Sequence, residues 1–211
     1  MDKTNPIYEQ TYRNYLIEIA ALDLELIAQK LGGKFLDGAI ELDFYGFKYR
    51  ISAGAILNNH GREAGFAECV VLCKYLLMCP EQEPHEKNWV AYNNFKDAAP
   101  FAGAFVKNVE KPIARNFTGK LELLENACKK TFAKDPDMEL NYQLVKRFEI
   151  LPKVPVLLLF NDKDDEFPAE SFVRFEERAK YYLDMECLAV IGWLLSDKLA
   201  ELAGLAGDTL M

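Results

Sequence analysis

Hydrophobic and polar positions follow two periods along this chain, and the switches between them mark out its elements. Asn5-Pro6 opens a helix, with Asn5 as N-cap and Pro6 in the first turn, where a missing N–H costs nothing. Tyr8, Tyr12, Tyr15, Ile19, Leu22 and Leu26 then recur at steps of four and three, a helical stripe that Leu16, Ala20 and Ile27 widen. Asp23 is placed to cap a second helix after a break near Ala21, and Gly32-Gly33 ends the run. The period then becomes two. Ile40, Leu42 and Phe44 alternate with Glu41 and Asp43; past Gly46, Phe47, Tyr49 and Ile51 alternate with Lys48 and Arg50. This predicts a hairpin with acids on one arm facing bases on the other.

Residues 63–78 are apolar almost all round, interrupted only by Glu68 and Lys74, which predicts a buried helix across the back of the sheet. Residues 79–87 read as a loop, and Trp89-Val90-Ala91-Tyr92 as a short strand. Phe101, Phe105, Val109 and Ile113 have helical spacing, with Pro112 expected to kink or split the helix. Leu121, Leu124 and Cys128 mark another, closed by Asp135-Pro136-Asp137. Leu140, Tyr142, Leu144, Phe148 and Ile150 alternate as a strand leading into residues 154–160, which are continuously apolar. A run so short and unbroken suits a central strand covered on both faces. Val154, Val156, Leu158 and Phe160 would face one side, Leu157 and Leu159 the other. A polar tract and Phe167-Pro168 separate it from a further strand, residues 171–175. A last helix carries Tyr182, Cys187, Ile191, Leu194, Leu195 and Leu199 on one side, with Asp184 as cap. Gly204 and Gly207 release a frayed tail after about residue 203.

Helix, hairpin, helices, meander and helix do not alternate as βαβ units do. The expectation is one α+β domain over residues 1–211, with an antiparallel or mixed sheet (N-terminal hairpin plus C-terminal three-strand meander) packed with several helices.

Composition narrows the function classes. With 25 basic and 33 acidic residues the net charge is −8, which argues against nucleic acid and against an anionic membrane surface as partners. The start of the chain has no basic and apolar signal pattern, and no stretch is apolar for long enough to span a membrane. Five cysteines without a Cys-x-x-Cys pair suit reduced thiols in the cytoplasm.

Candidate chemistry is sparse. Asp162, Asp164, Asp165 and Glu166 offer enough oxygen for a hard cation, but Phe167 and Val173 stand where a calcium loop needs glycine and glutamate. The plainer reading is a solvated turn. In it Phe167 is buried, Pro168 stiffens the exit, Glu166 is the structurally demanding acid, and Asp164 and Asp165 face water. From Asp162 to Arg178 seven acids meet three bases, predicting a negative pole at one end of the sheet. Cys69 and Cys73 share a helix face, with Cys79 beyond and His60 and His85 flanking, but an apolar helix favours packing over zinc. Two histidines leave little for nucleophilic catalysis, and no phosphate loop or dinucleotide fingerprint is present. The many aromatic residues could line a pocket, though at helical spacing they suit a core.

Several of these segments together resemble one family. They are Leu151-Pro152-Lys153-Val154-Pro155-Val156, the turn Asp164-Asp165-Glu166-Phe167-Pro168, Phe175-Glu176, Tyr182-Leu183, and Trp89-Val90-Ala91-Tyr92 ahead of Phe101 to Phe105. The chain is similar over nearly its whole length to the domain of unknown function 3786 family of anaerobic bacteria and archaea. Lys163 replaces a usual glycine and Glu176 a usual aspartate. The resemblance implies no activity, and neither it nor the residues name a cofactor, small ligand or protein partner. Some relatives join this domain to a cysteine-rich segment resembling the iron–sulfur part of corrinoid proteins, which this chain lacks. The favoured expectation is a non-catalytic binding or accessory domain in anaerobic redox or corrinoid metabolism. The alternatives are a metal-assisted enzyme using Asp164, Asp165 and Glu166, and an acidic protein-interaction module.

Overall fold

Two separate antiparallel sheets carry the α+β fold, with helices packed between and around them. The computed structural model describes residues 6–205, so the expected Asn5 cap and the tail with Gly207 lie outside the described residues. Helix α1, Pro6–Ala20, and α2, Leu24–Leu31, are separated at the anticipated break. The Asp23 carboxylate accepts the Leu26 N–H, and Gly32 closes α2 at φ 78°. Breaking the helix re-aims its stripe: Ile19 is wholly buried, but Leu26 is 46% exposed, and α2 buries Ala28 and Leu31 instead.

The first sheet consists of β1 (Lys34–Leu36), β2 (Ala39–Phe44), β3 (Phe47–Ile51) and β4 (Ile56–Leu57), paired in that order. The expected hairpin is its centre, turning on Tyr45 and Gly46, both at positive φ. That geometry matches the strands' right-handed twist. Glu41 pairs in register with Arg50 and Asp43 with Lys48. Both are ion pairs, at 3.4 and 2.8 Å, exposed enough to contribute little stability. Strands β1 and β4, three and two residues long, are too short to show a period and add to the expected hairpin.

Helix α3, Phe66–Leu77, fills the buried-helix role, packing chiefly on α1 and on the last helix. Its two polar interruptions have partners. Glu68 accepts the Gly65 N–H at 2.8 Å and the Tyr49 hydroxyl at 2.7 Å. Lys74 lies 3.3 Å from Asp184, which also caps the last helix through the Cys187 N–H.

Trp89–Ala91 forms β5. Helix α4, Ala99–Phe105, passes through a π turn at Val106–Glu110 into α5, Lys111–Phe117. Proline lacks an N–H and its ring crowds the carbonyl four residues earlier; the wider turn absorbs both, so Pro112 bulges the helix without breaking it. Helix α6, Leu121–Lys130, ends before Asp135, whose carboxylate bonds Lys146 at 2.6 Å. The second sheet pairs β5, β8 (Glu170–Glu176), β7 (Val154–Asn161) and β6 (Leu144–Leu151) in that order. The meander supplies three of its strands; β6 starts at Leu144, so Leu140 and Tyr142 precede it. Beyond β5, the π turn covers the edge of β8: the Glu110 carboxylate accepts the Val173 N–H at 3.1 Å, and its carbonyl accepts the Ser171 hydroxyl at 2.6 Å. Helix α7, Met185–Leu202, completes the core. A Cβ on Gly192 would stand 2.6 Å from the Phe105 ring, so the α4–α7 approach requires glycine there.

Every residue from Val154 to Phe160 is buried, as a central strand requires. Val154, Val156, Leu158 and Phe160 join the main core. Leu157 and Leu159 face the other way, beside the cross-strand pairs Arg147 and Arg174, and Val145 and Phe172. Leu158→Ala should cost about 2–5 kcal/mol in chemical denaturation, because it opens a cavity in the filled face of β7. A loss below about 0.5 kcal/mol would contradict this placement.

Candidate functional site

The acidic turn begins where β7 ends, and backbone hydrogen bonds organise it. Asp162 accepts the N–H groups of Gly119 at 2.6 Å and Lys163 at 2.8 Å. Its own N–H donates to the Gln143 side chain at 2.6 Å, while Asn161 accepts the Gln143 N–H at 3.1 Å. Asp164 closes the tip: its Oδ1 accepts from Phe167 at 2.7 Å and from Glu166 at 2.8 Å, and its N–H donates to the Phe167 carbonyl at 3.0 Å. The Phe167 N–H, then that of Glu166, holds the Asp164 carboxyl below the usual aspartate range.

Asp165 and Glu166 are exposed. Asp164, not Glu166, is therefore the acid the turn depends on, because an aspartate reaches the N–H groups two and three residues ahead while Glu166 points into water. Phe167 is not buried either: its ring is 64% exposed and Pro168 stands beside it in solvent.

Between the turn and residues 141–143 lies an open hollow of about 470 Å³. Asn141, Gln143 and Asn161 line it with amides, Asp164 and Glu170 with carboxylates, and Tyr142 and Phe167 with rings. The Tyr142 ring packs edge-on against Phe172, centroids 6.0 Å apart. Its size lies in the range of small-molecule sites, and its acceptors suit a cation or a ligand rich in donors. Among the described residues, no three His, Cys, Asp or Glu side chains converge to hold a metal ion. None of the five cysteines forms a disulfide, and burial pushes the Cys128 thiol up to about 12. His60 and His85 are exposed.

Glu176 belongs elsewhere. It ends β8, a seven-residue strand's length (about 20 Å) from the turn. The expected single negative pole is thereby divided, because β8 carries Glu176, Glu177 and Arg178 to the opposite end. There Glu176, 5% exposed, accepts from the Arg178 guanidinium. Arg178 also bonds Glu83 at 3.2 Å, and Glu83 bonds Lys153 at 2.9 Å. Lys153, then Arg178, holds the Glu83 carboxyl below its usual range. Glu83 and Arg178 were not singled out from the sequence: they are 95 residues apart, and no spacing announces the pair. Lys153 and Tyr182 sat within the recognised segments without a role.

Two all-antiparallel sheets joined through a helical core, with a pinned acidic turn at one end and a partly buried ion-pair chain at the other, define an α+β domain with a polar hollow. A family model described as Domain of unknown function (DUF3786) matches residues 23–198, and the chain belongs to that family. No curated protein and no solved structure matches the chain. Among the described residues no helix is long and apolar enough to cross a membrane.

Two predictions follow from the geometry. Arg178→Met should destabilise the fold by about 3–5 kcal/mol, since it leaves Glu176 buried without its cation. Adding Glu176→Gln should recover part of that loss, a coupling that a double-mutant cycle measures. The second concerns pH. With the Asp164 pKa depressed, its stabilisation is complete above the unfolded aspartate value and is lost as pH falls through the folded one. Amide exchange at Phe167 and Glu166 should therefore accelerate in that acidic window, and already be fast at neutral pH in Asp164→Ala. Glu166→Gln should leave both amides protected.

Proposed function

We propose that this chain is a non-catalytic binding or accessory domain of anaerobic redox or corrinoid metabolism, working in the cytoplasm, with the hollow at the acidic turn as its binding face. The observation that carries this reading is the presentation of Phe167. Its ring stands 64% exposed while its N–H and carbonyl are both fixed to Asp164. With its backbone already fixed, only the ring's own rotamer freedom is lost when a partner covers it. Asp162, Asp164, Asp165, Glu166 and Glu170 surround it, with Lys163 the one base of that segment, so the occupant would be cationic or rich in donors. The metabolic setting comes from the family resemblance. The same exposed ring also favours the interaction-module reading, in which the occupant is a basic protein surface. A metal-assisted enzyme using Asp164, Asp165 and Glu166 is less well supported, since Asp164 already commits one oxygen to two N–H groups.

Native mass spectrometry of protein purified without oxygen is the test. The wild type should carry a small ligand or a partner chain, and Phe167→Ala should lose it while keeping its melting temperature. Wild-type protein that carries nothing, or Phe167→Ala that retains the bound species, would count against the reading. Stabilisation by divalent cations that disappears in the Asp164→Asn, Asp165→Asn double variant would instead restore the metal-assisted enzyme.

A further inference from the structure

A second pocket lies at the opposite end of β7 from the acidic turn. It is lined by the C-terminus of α2, residues from 79 to 83 and Lys153 in the β6–β7 turn, with a volume of about 160 Å³. That is room for about five waters. Tyr182 lines it and is 1% exposed. The neighbouring Tyr75, its ring centroid 6.0 Å away, is fully satisfied: its hydroxyl donates to the Leu31 carbonyl at 3.2 Å and accepts the Lys153 N–H at 3.1 Å. The Tyr182 hydroxyl has no hydrogen-bond partner among the described residues. Burial, then the charge of Glu83, pushes its pKa up to about 12, so at neutral pH it keeps its proton and can donate.

The other groups around the pocket show which ligand chemistry is lacking. Lys30 gives one hydrogen bond, to the Glu81 carbonyl at 3.1 Å, and has no carboxylate partner among the described residues. The carboxylates of the inner wall are already engaged: Glu83 with Lys153 and Arg178, and Glu176 with Arg178. Glu81 is exposed to solvent. The unused capacity at this pocket is therefore donor capacity, the Tyr182 hydroxyl that reaches the pocket and a lysine ammonium.

We propose that this pocket binds a small monocarboxylate, one oxygen accepting from the Tyr182 hydroxyl and the other facing the Lys30 ammonium. Charge-assisted bonds of this kind are the strong ones. A multiply charged anion fits less well, because Glu81 and Glu83 are also in the lining and repel added negative charge. The volume restricts the ligand to a short chain. This site is separate from the hollow at the acidic turn and does not depend on its role.

The test uses acetate and propionate as probes and acetamide as their uncharged counterpart, at constant ionic strength. Calorimetry gives the affinity, and NMR of ring-labelled tyrosine reports on Tyr182. Saturable carboxylate binding that moves the Tyr182 resonance is expected. Tyr182→Phe, which keeps the ring in the core, should weaken it about tenfold, as should Lys30→Met at the rim. Melting curves of both variants establish that each remains folded. Acetamide binding as tightly as acetate, unchanged affinity in both variants, or no saturable response would each overturn the proposal, the last leaving a pocket filled by water alone.

Discussion

The two sheets are held together at Tyr45. This residue is the first of the two positive-φ positions in the β2–β3 turn, so the turn itself directs its backbone away from its own sheet. Its N–H donates to the Ile150 carbonyl at 2.9 Å. That carbonyl is available because the β6–β7 register shifts between Glu149 and Leu151, opposite Pro155, which has no N–H to offer. The Tyr45 hydroxyl donates to the Ile191 carbonyl of α7 at 2.5 Å, and burial pushes its pKa well up, so it remains a donor. One residue thus links the first sheet, the second sheet and the last helix. Each bond lies in a low-dielectric interior where an unpaired partner would be costly.

With that junction fixed, β7 sets the geometry of everything polar. Its first seven residues are buried, so charge is expelled to its two ends. At one end the chain forms the acidic turn, where two backbone N–H groups donate to Asp164, while Asp165 and Glu166 are exposed. At the other end the charges are of mixed sign and partly enclosed, and they neutralise one another in the order Glu176, Arg178, Glu83, Lys153. The two ends therefore present different chemistry: a broad acceptor surface and a smaller pocket with unused donors.

The elements were legible where one period ran long enough to be read. The β2–β3 hairpin, with its cross-strand charges, and the central β7 declared themselves because alternation and continuous burial each leave a pattern over five residues or more. The helix through Phe101, Phe105, Val109 and Ile113 held a subtler sign. Steps of exclusively four residues drift around an α-helix of 3.6 residues per turn, and a π turn, with its longer period, keeps such positions in line. Short strands such as β4 leave no period at all. The candidate site was legible only as composition. The sequence shows acids, a phenylalanine and a proline in a row, but which acid turns back to cap the N–H groups depends on side-chain length. An aspartate two residues before a free N–H reaches it, and Glu166 is followed by Phe167 and then by Pro168, which has none. The ion-pair chain was illegible because Glu83 and Arg178 meet only through the fold.

The geometry of the turn also bears on how its acids would be used. A hard cation asks for about six oxygens arranged around one point. Here Asp162 and Asp164 each direct an oxygen to two backbone N–H groups, and at Asp164 these bonds stabilise the charged form without any metal. Asp165 and Glu166 project from a tip that holds the backbone rigid but not their side chains. Gathering them around an ion would require ordering those two side chains at an entropic cost. A turn with a fixed backbone, an exposed ring and loose charged side chains is better matched to a broad cationic partner, which can use several carboxylates at once without demanding that they converge.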